Sequence, residues 1–205
     1  MIVGFCLIPY SFFLSAAEQP KIIYILADDM GYGDVAANNP NCKFPTPFLD
    51  QLAEEGMRFS DAHTNSSVCT PTRYGILTGR YSWRTRLKGG VLDGAAGPLI
   101  ASDRTTVATF LKKQGYNTAC VGKWHLGMSW PTKDGKKPVR SRGDNIDFTQ
   151  PIENGPNDVG FDYFYGISAS LNMPPHAYIE NRMIDGEDLV FAKDSKDIKA
   201  LGLVR

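Results

Sequence analysis

An excess of charge of either sign is missing from this sequence: 22 lysines and arginines face 22 aspartates and glutamates, so the formal net charge is zero. A neutral chain has no electrostatic reason to seek nucleic acid, so no nucleic-acid partner is expected. Histidine is scarce as well. His63, His125 and His176 are the only three, and their spacing is not that of zinc ligands. There is no internal repeat, low-complexity tract or heptad run, which excludes solenoids, coiled coils and disordered tails as the main architecture. The one apolar segment near the N-terminus, residues 2–14, is too short for a comfortable membrane span, and no other stretch is longer, so no stable membrane span is expected. What remains is 205 residues with 42% hydrophobic content, thirteen prolines and twenty glycines. That is enough to bury a core and suits a loop-rich α/β enzyme of one domain, or part of one.

The apolar segment is followed by Ser15, Ala16 and Ala17, small residues where a signal peptidase would cut before Glu18. The absence of lysine or arginine ahead of it departs from the usual signal. Residues 1–17 are nevertheless expected to be a signal peptide, with residues 18–205 exported to a periplasmic, secreted or lysosome-like compartment. Removing residues 1–17 takes Cys6 and leaves Cys42, Cys69 and Cys120, an odd number. Cys120 lies in an apolar, strand-like run and reads as a buried free thiol rather than a disulfide partner for Cys42.

The residues most suggestive of chemistry lie between positions 67 and 79. Thr70 can cap a helix whose first residue is Pro71, and Gly79 can end it. Cys69 would then sit just before a helix N-terminus, where unpaired N–H groups and the dipole favour an anion, with Arg73 adding a permanent cation one turn in. An oxyanion substrate suits this arrangement.

Elsewhere the pattern alternates strand and helix. Residues 21–27 form a continuous apolar run rich in β-branched residues, expected to be a central strand covered on both faces, ending at Asp28 and Asp29, with Gly31 and Gly33 allowing the turn. Paired carboxylates at this position either lie on a solvated turn or, at the end of a buried strand, are matched by a hard divalent cation. Residues 46–56 read as a short amphipathic helix, 57–62 as a strand, 105–115 as a second helix and 116–121 as a second buried strand. This order argues for a parallel sheet, with the site beyond the carboxyl ends of its strands. Lys123 and His125, two residues apart, would point the same way on an extended backbone. Residues 127–160 read as a long polar surface loop, 160–166 and 178–184 as further strands, and the remainder as a charged tail. His63 reads as a polar surface residue.

Three stretches together resemble one family. Cys69-x-Pro71-x-Arg73 followed by Ile76-Leu77-Thr78-Gly79 is similar to the sulfatase signature. Residues 115–125, closing on Lys123-Trp124-His125, resemble the second sulfatase signature, and Asp28-Asp29-Met30-Gly31-Tyr32-Gly33-Asp34 resembles the first metal-ligand segment. A tyrosine-phosphatase loop would need arginine at position 75, which is Gly75.

The resemblance implies an α/β fold, an alkaline-phosphatase-like sandwich with a largely parallel central sheet, here truncated at the C-terminus. It implies hydrolysis of sulfate monoesters, including those of sulfated small molecules or glycans. Cys69 would be oxidised to formylglycine by a formylglycine-generating or anaerobic sulfatase-maturating enzyme. One hydroxyl of the hydrated aldehyde attacks sulfur and the other later expels sulfate. Carried over by position, Asp28, Asp29 and the modified Cys69 would bind Ca2+, or Mg2+. Cys69, Arg73, Lys123 and His125 would be catalytic, with Lys123 contacting sulfate and His125 accepting a proton. Ser170 would also contact sulfate, with Asn172 a polar neighbour, although Leu171 stands where several relatives carry histidine. A phosphate ester hydrolase on the same fold would need serine or threonine at position 69, and often zinc. A fragment that only binds sulfated glycans would retain every motif. The metal shell and sulfate pocket of the family need further residues with no counterpart before Arg205, so residues 18–205 are expected to be incomplete and to have little or no activity alone.

Overall fold

The structure is a computed structural model that describes residues 19–139 and 143–186. The expected signal peptide over residues 1–17, Cys6, Arg140, Arg142 and the charged tail from residue 187 lie outside the described residues. The chain divides into two compact units, one ending at Arg58 and the other beginning at Phe59.

In the first unit the expected helix is present as α1, Pro47–Glu55, with proline in its first turn. Its anchor is polar. Thr46 Oγ1 accepts from the Ala36 N–H at 2.8 Å and donates to Asp50 Oδ1 at 3.0 Å, and that carboxylate also takes the Ala37 N–H at 2.7 Å. Thr46 and Asp50 thereby fasten α1 to the short 3-10 turn Ala36–Asn38. Residues 21–27 differ from expectation: they form no strand, and Ile22, Ile23, Tyr24 and Ile25 are exposed. β-Branched residues favour extended backbone, but a strand exists only where a neighbour completes the ladder, and the described residues of this unit supply none.

The second unit is organised around a four-stranded sheet in the order β1, β2, β3, β4: Ala119–Lys123, Tyr163–Ile167, Tyr178–Glu180 and Met183–Asp185. β1 and β2 are parallel, and β2, β3 and β4 are antiparallel, so the described sheet is mixed. β1 begins three residues later than the pattern suggested. It is an edge strand, not a buried one, with Val121 74% exposed. The single strand expected over 178–184 is a hairpin, because Asn181 takes a left-handed φ of 55° and reverses the chain. Residues 57–62, expected as a strand, are irregular and exposed.

Alternation along β2 sends Phe164 and Gly166 inward, and Phe164 is fully buried against Trp124, edge to face at 6.4 Å. Ile179 joins them from β3. The segment 127–160, expected to be a surface loop, instead contributes Met128, Trp130, Ile146, Ile152 and Val159 to this core. These five residues are too widely spaced to register as a periodic element, yet each is buried. Gly122 and Gly166 face one another across β1 and β2. Gly122 holds a φ of 106°, and a Cβ on Gly166 would collide with the Gly122 carbonyl, so the two backbones meet with no side chain between them.

The helices of this unit are α2, Cys69–Thr78, and α3, Val107–Lys113. Thr106 caps α3 by accepting the Thr109 N–H and donates its hydroxyl proton to the Val159 carbonyl. Gly79 ends α2 at a φ of 63°, the left-handed cap its position predicts.

Candidate functional site

The sequence places the start of α2 at Pro71 with Thr70 as its cap. In the structure the helix starts two residues earlier, so Cys69 is its first residue and Val68 the N-cap. Val68 supplies no side-chain cap hydrogen bond, because an apolar side chain has nothing to accept with. The helix end therefore presents backbone N–H groups and its positive dipole beside Cys69, which is half-buried. The approach to Cys69 is fixed by two ties: Asn65 Nδ2 donates to the Pro71 carbonyl at 2.8 Å, and Thr72 Oγ1 to the Ser66 carbonyl at 2.7 Å. Gly75 leaves room for Asn65, whose side chain a Cβ there would strike.

Relieved of capping, the Thr70 hydroxyl has another task. Thr70 is fully buried, and its Oγ1 accepts the Leu92 N–H at 3.2 Å. The Leu92 carbonyl in turn faces His125 Nε2 at 2.7 Å. Arg73 reaches the same neighbourhood, donating through Nη1 to the Lys123 carbonyl. Two connections thus join α2 to the carboxyl end of β1, one through Leu92 and one through Arg73.

Past Lys123, where the ladder ends, two consecutive backbone bonds still cross to the neighbouring segment, from the Trp124 N–H to the Ile167 carbonyl and from the His125 N–H to the Ser168 carbonyl, both at 2.9 Å. His125 then turns to a φ of 57° and is fully buried. The extended backbone on which Lys123 and His125 would point the same way does not persist, since β1 stops at Lys123 and His125 is left-handed. A carbonyl oxygen can only accept, so His125 Nε2 carries the proton, and in the neutral ring the lone pair belongs to Nδ1.

Cys69, Arg73, Lys123 and His125 are therefore gathered by α2 and the end of β1. Ser170 is half-buried in a turn in which its carbonyl accepts the Met173 N–H. The nearby residue that accepts the His125 N–H is Ser168, which the sequence did not single out. Asp28 and Asp29 belong to the first unit, on an exposed bend where Asp29 has a φ of 61°. The expectation that burial forces them to bind a cation does not hold, because the preceding run is not a covered strand. Their oxygen donors still suit a hard cation. Among the described residues no group of three or more His, Cys, Asp or Glu converges as a metal cage.

The cysteines differ in environment. Cys42, Cys69 and Cys120 are free thiols. Burial on the inner face of β1 pushes the Cys120 thiol up to about 11, with the Arg73 charge pulling weakly the other way. A thiol held protonated is a packing residue and a poor nucleophile. His63 is exposed and paired with Asp61 at 2.6 Å, as a surface residue would be. No helix among the described residues is long and apolar enough to cross a membrane.

Comparison with known proteins covers both units. The family model described as Sulfatase matches residues 20–198. The chain is 37% identical over 172 residues to an N-acetylgalactosamine-6-O-sulfatase of Bacteroides thetaiotaomicron, covering 84% of this chain and 31% of that protein. It is 40% identical over 157 residues to mouse arylsulfatase G, covering 77% of this chain and 25% of that protein, and 46% identical over 116 residues to bovine arylsulfatase A, covering 56% and 22%. A solved Bacteroides thetaiotaomicron structure, described in terms of the metabolism of multiple glycosaminoglycans, superposes with a TM-score of 0.72 at 38% identity, over 83% of this chain and 32% of that one. The chain spans less than a third of the length of each of these relatives.

Proposed function

The chain belongs to the sulfatase family, and from that premise we propose that it serves the hydrolysis of sulfate monoesters, with sulfated carbohydrate as the substrate class and an exported compartment as its place of action. The observation that carries this reading is the tying of the Cys69 helix end to the Lys123–His125 segment by Arg73 and Leu92. The reading is supported by the fact that a candidate nucleophile, an arginine, a lysine and a histidine are carried by a helix start and a strand end that these bonds join. The carbohydrate class is supported by the N-acetylgalactosamine-6-O-sulfatase relative.

Oxidised to formylglycine by a maturation enzyme, Cys69 would supply a hydrated aldehyde with one hydroxyl to attack sulfur and another to expel sulfate. The unmodified thiol has no second hydroxyl to do so. The start of α2 favours negative charge beside Cys69. Lys123 and Arg73 supply the positive charge that a sulfate ester needs, and Arg73 also holds the Lys123 backbone in place. His125 takes up a proton at Nδ1 while Nε2 stays bonded to the Leu92 carbonyl. Asp28 and Asp29 would contribute oxygens to a bound Ca2+ or Mg2+, and Ser170 a hydroxyl to sulfate.

The test is peptide mass spectrometry across Cys69 after co-expression with a formylglycine-generating enzyme. Conversion of Cys69 to the aldehyde is expected, and Cys69→Ala should give no aldehyde. A peptide that shows only the free thiol in a host that matures other sulfatases would overturn the reading.

A further inference from the structure

Leu92 lies in an irregular segment with no charged or hydroxyl side chain to recommend it, yet its two backbone groups have partners on opposite sides. Its N–H is held by Thr70 Oγ1 at 3.2 Å and its carbonyl accepts from His125 Nε2 at 2.7 Å. All three residues are buried, at 0%, 2% and 0% exposure for Thr70, Leu92 and His125. Hydrogen bonds in such surroundings are unscreened by water and costly to leave unmade. The N–H and carbonyl of one residue are separated only by its own φ and ψ, so anchoring the N–H strongly restricts where the carbonyl can point.

We propose that Thr70 is a positioning residue: through the Leu92 backbone it fixes the orientation of the His125 ring and its Nε2–H tautomer, so that Nδ1 is the atom that accepts a proton. Thr70 is next to Cys69 in the chain, so the nucleophile position and the tautomer of the imidazole are set by neighbouring residues of one helix turn. A freely rotating ring would divide its proton between two nitrogens, and only one of the two tautomers leaves Nδ1 as a base. Valine at position 70 would keep the shape and remove the acceptor. Serine would keep the acceptor. The consequence for turnover rests on the proposed role of His125, but the tautomer itself does not.

The experiment is two-bond proton–nitrogen NMR of the ring nitrogens in the whole chain labelled at histidine. With only three histidines in the sequence, His125→Gln assigns the signal. The expected result is a single Nε2–H pattern for His125 in the unaltered protein and in Thr70→Ser, and a pattern averaged toward both tautomers in Thr70→Val. An Nδ1–H tautomer in the unaltered protein overturns the proposal, as does a Thr70→Val spectrum identical to the original. Should Thr70→Val fail to fold, Thr70→Ser decides, since a changed tautomer with the hydroxyl retained also overturns it. In protein matured at Cys69 and active, Thr70→Val should lower kcat by about tenfold or more with KM within about twofold, because general base catalysis contributes on the order of a hundredfold or more. Thr70→Ser should recover it. Failure of Cys69 to mature to the aldehyde would count against the proposed function and leave the tautomer result standing on its own.

Discussion

Raising the pH should destabilise the second unit through Cys120 in a way that can be isolated. Burial moves this thiol from an ordinary 9.0 to about 11. The folded state therefore keeps a proton that the unfolded chain has released. Below pH 9 both states are protonated and the thiol contributes no pH dependence. Between about pH 9 and pH 11 only the unfolded chain ionises, so stability falls as pH rises. Two pKa units correspond to about 2.7 kcal/mol, the loss reached once the pH passes the folded value. Lysines and tyrosines also titrate there, so the measurement is a difference. Urea unfolding of the unaltered protein and of Cys120→Ala is followed from about pH 8 to about pH 10.5, and only the former should carry the extra downward slope. At about pH 8 the thiolate population should be about a hundredfold below that of an ordinary thiol, with alkylation slowed to match. Arg73→Gln removes the one opposing charge and should slow alkylation further. Parallel pH slopes for the two proteins, or alkylation of Cys120 at the rate of an exposed cysteine peptide, would refute the reasoning.

Three other outcomes are expected. Phe164→Ala, which empties the centre of the core between Trp124 and Ile179, should cost about 3–5 kcal/mol in urea unfolding; a loss under about 1 kcal/mol would mean that the core lies elsewhere. Hydrogen bonds from Lys112 and from the Thr118 backbone hold the Asp162 carboxyl below its ordinary 3.8. Its stabilising contribution is therefore present above the ordinary carboxylate range and lost as pH falls through the folded value, and Asp162→Asn should flatten that acid-side slope, an unchanged slope arguing against these bonds. Calcium or magnesium titrated into the matured protein should bind weakly and bind less in the double variant Asp28→Asn, Asp29→Asn, whereas uptake of zinc in preference to both would show the carboxylates to be misread.

The elements whose ends carry local chemistry were the legible ones. Proline at the start of α1 and glycine after α2 each act within one turn, so the sequence states them directly, whereas the Thr106 cap that starts α3 two residues inside the expected helix is not distinguished from its neighbour Thr105. The run at 21–27 reads as a strand from its apolar, β-branched content and 57–62 from its alternation; both report a preference for extended backbone and cannot supply the neighbour that makes a ladder. The burial of Trp130, Ile146 and Ile152 was hidden because irregular backbone carries no period. In the site, the grouping of Cys69, Arg73, Lys123 and His125 followed from motifs, but the means of grouping did not. Thr70 was assigned to the helix cap, a task that fell to Val68 once the helix began at Cys69, and the link through Leu92 uses peptide groups that every residue possesses. No pattern of side chains could have announced it.

The bare contact between Gly122 and Gly166 fixes a length. One residue beyond it in each strand the chain enters the pairings that carry Lys123, Trp124 and His125. The separation of β1 and β2 at that point is gauged by peptide against peptide, which neither swells nor shrinks when a neighbouring side chain is exchanged. Substitutions in the apolar interior can thus weaken the unit without altering the strand spacing at which the His125 backbone is held. Stability and the placing of His125 are in this way separable, and what separates them is the Cβ that Gly166 lacks.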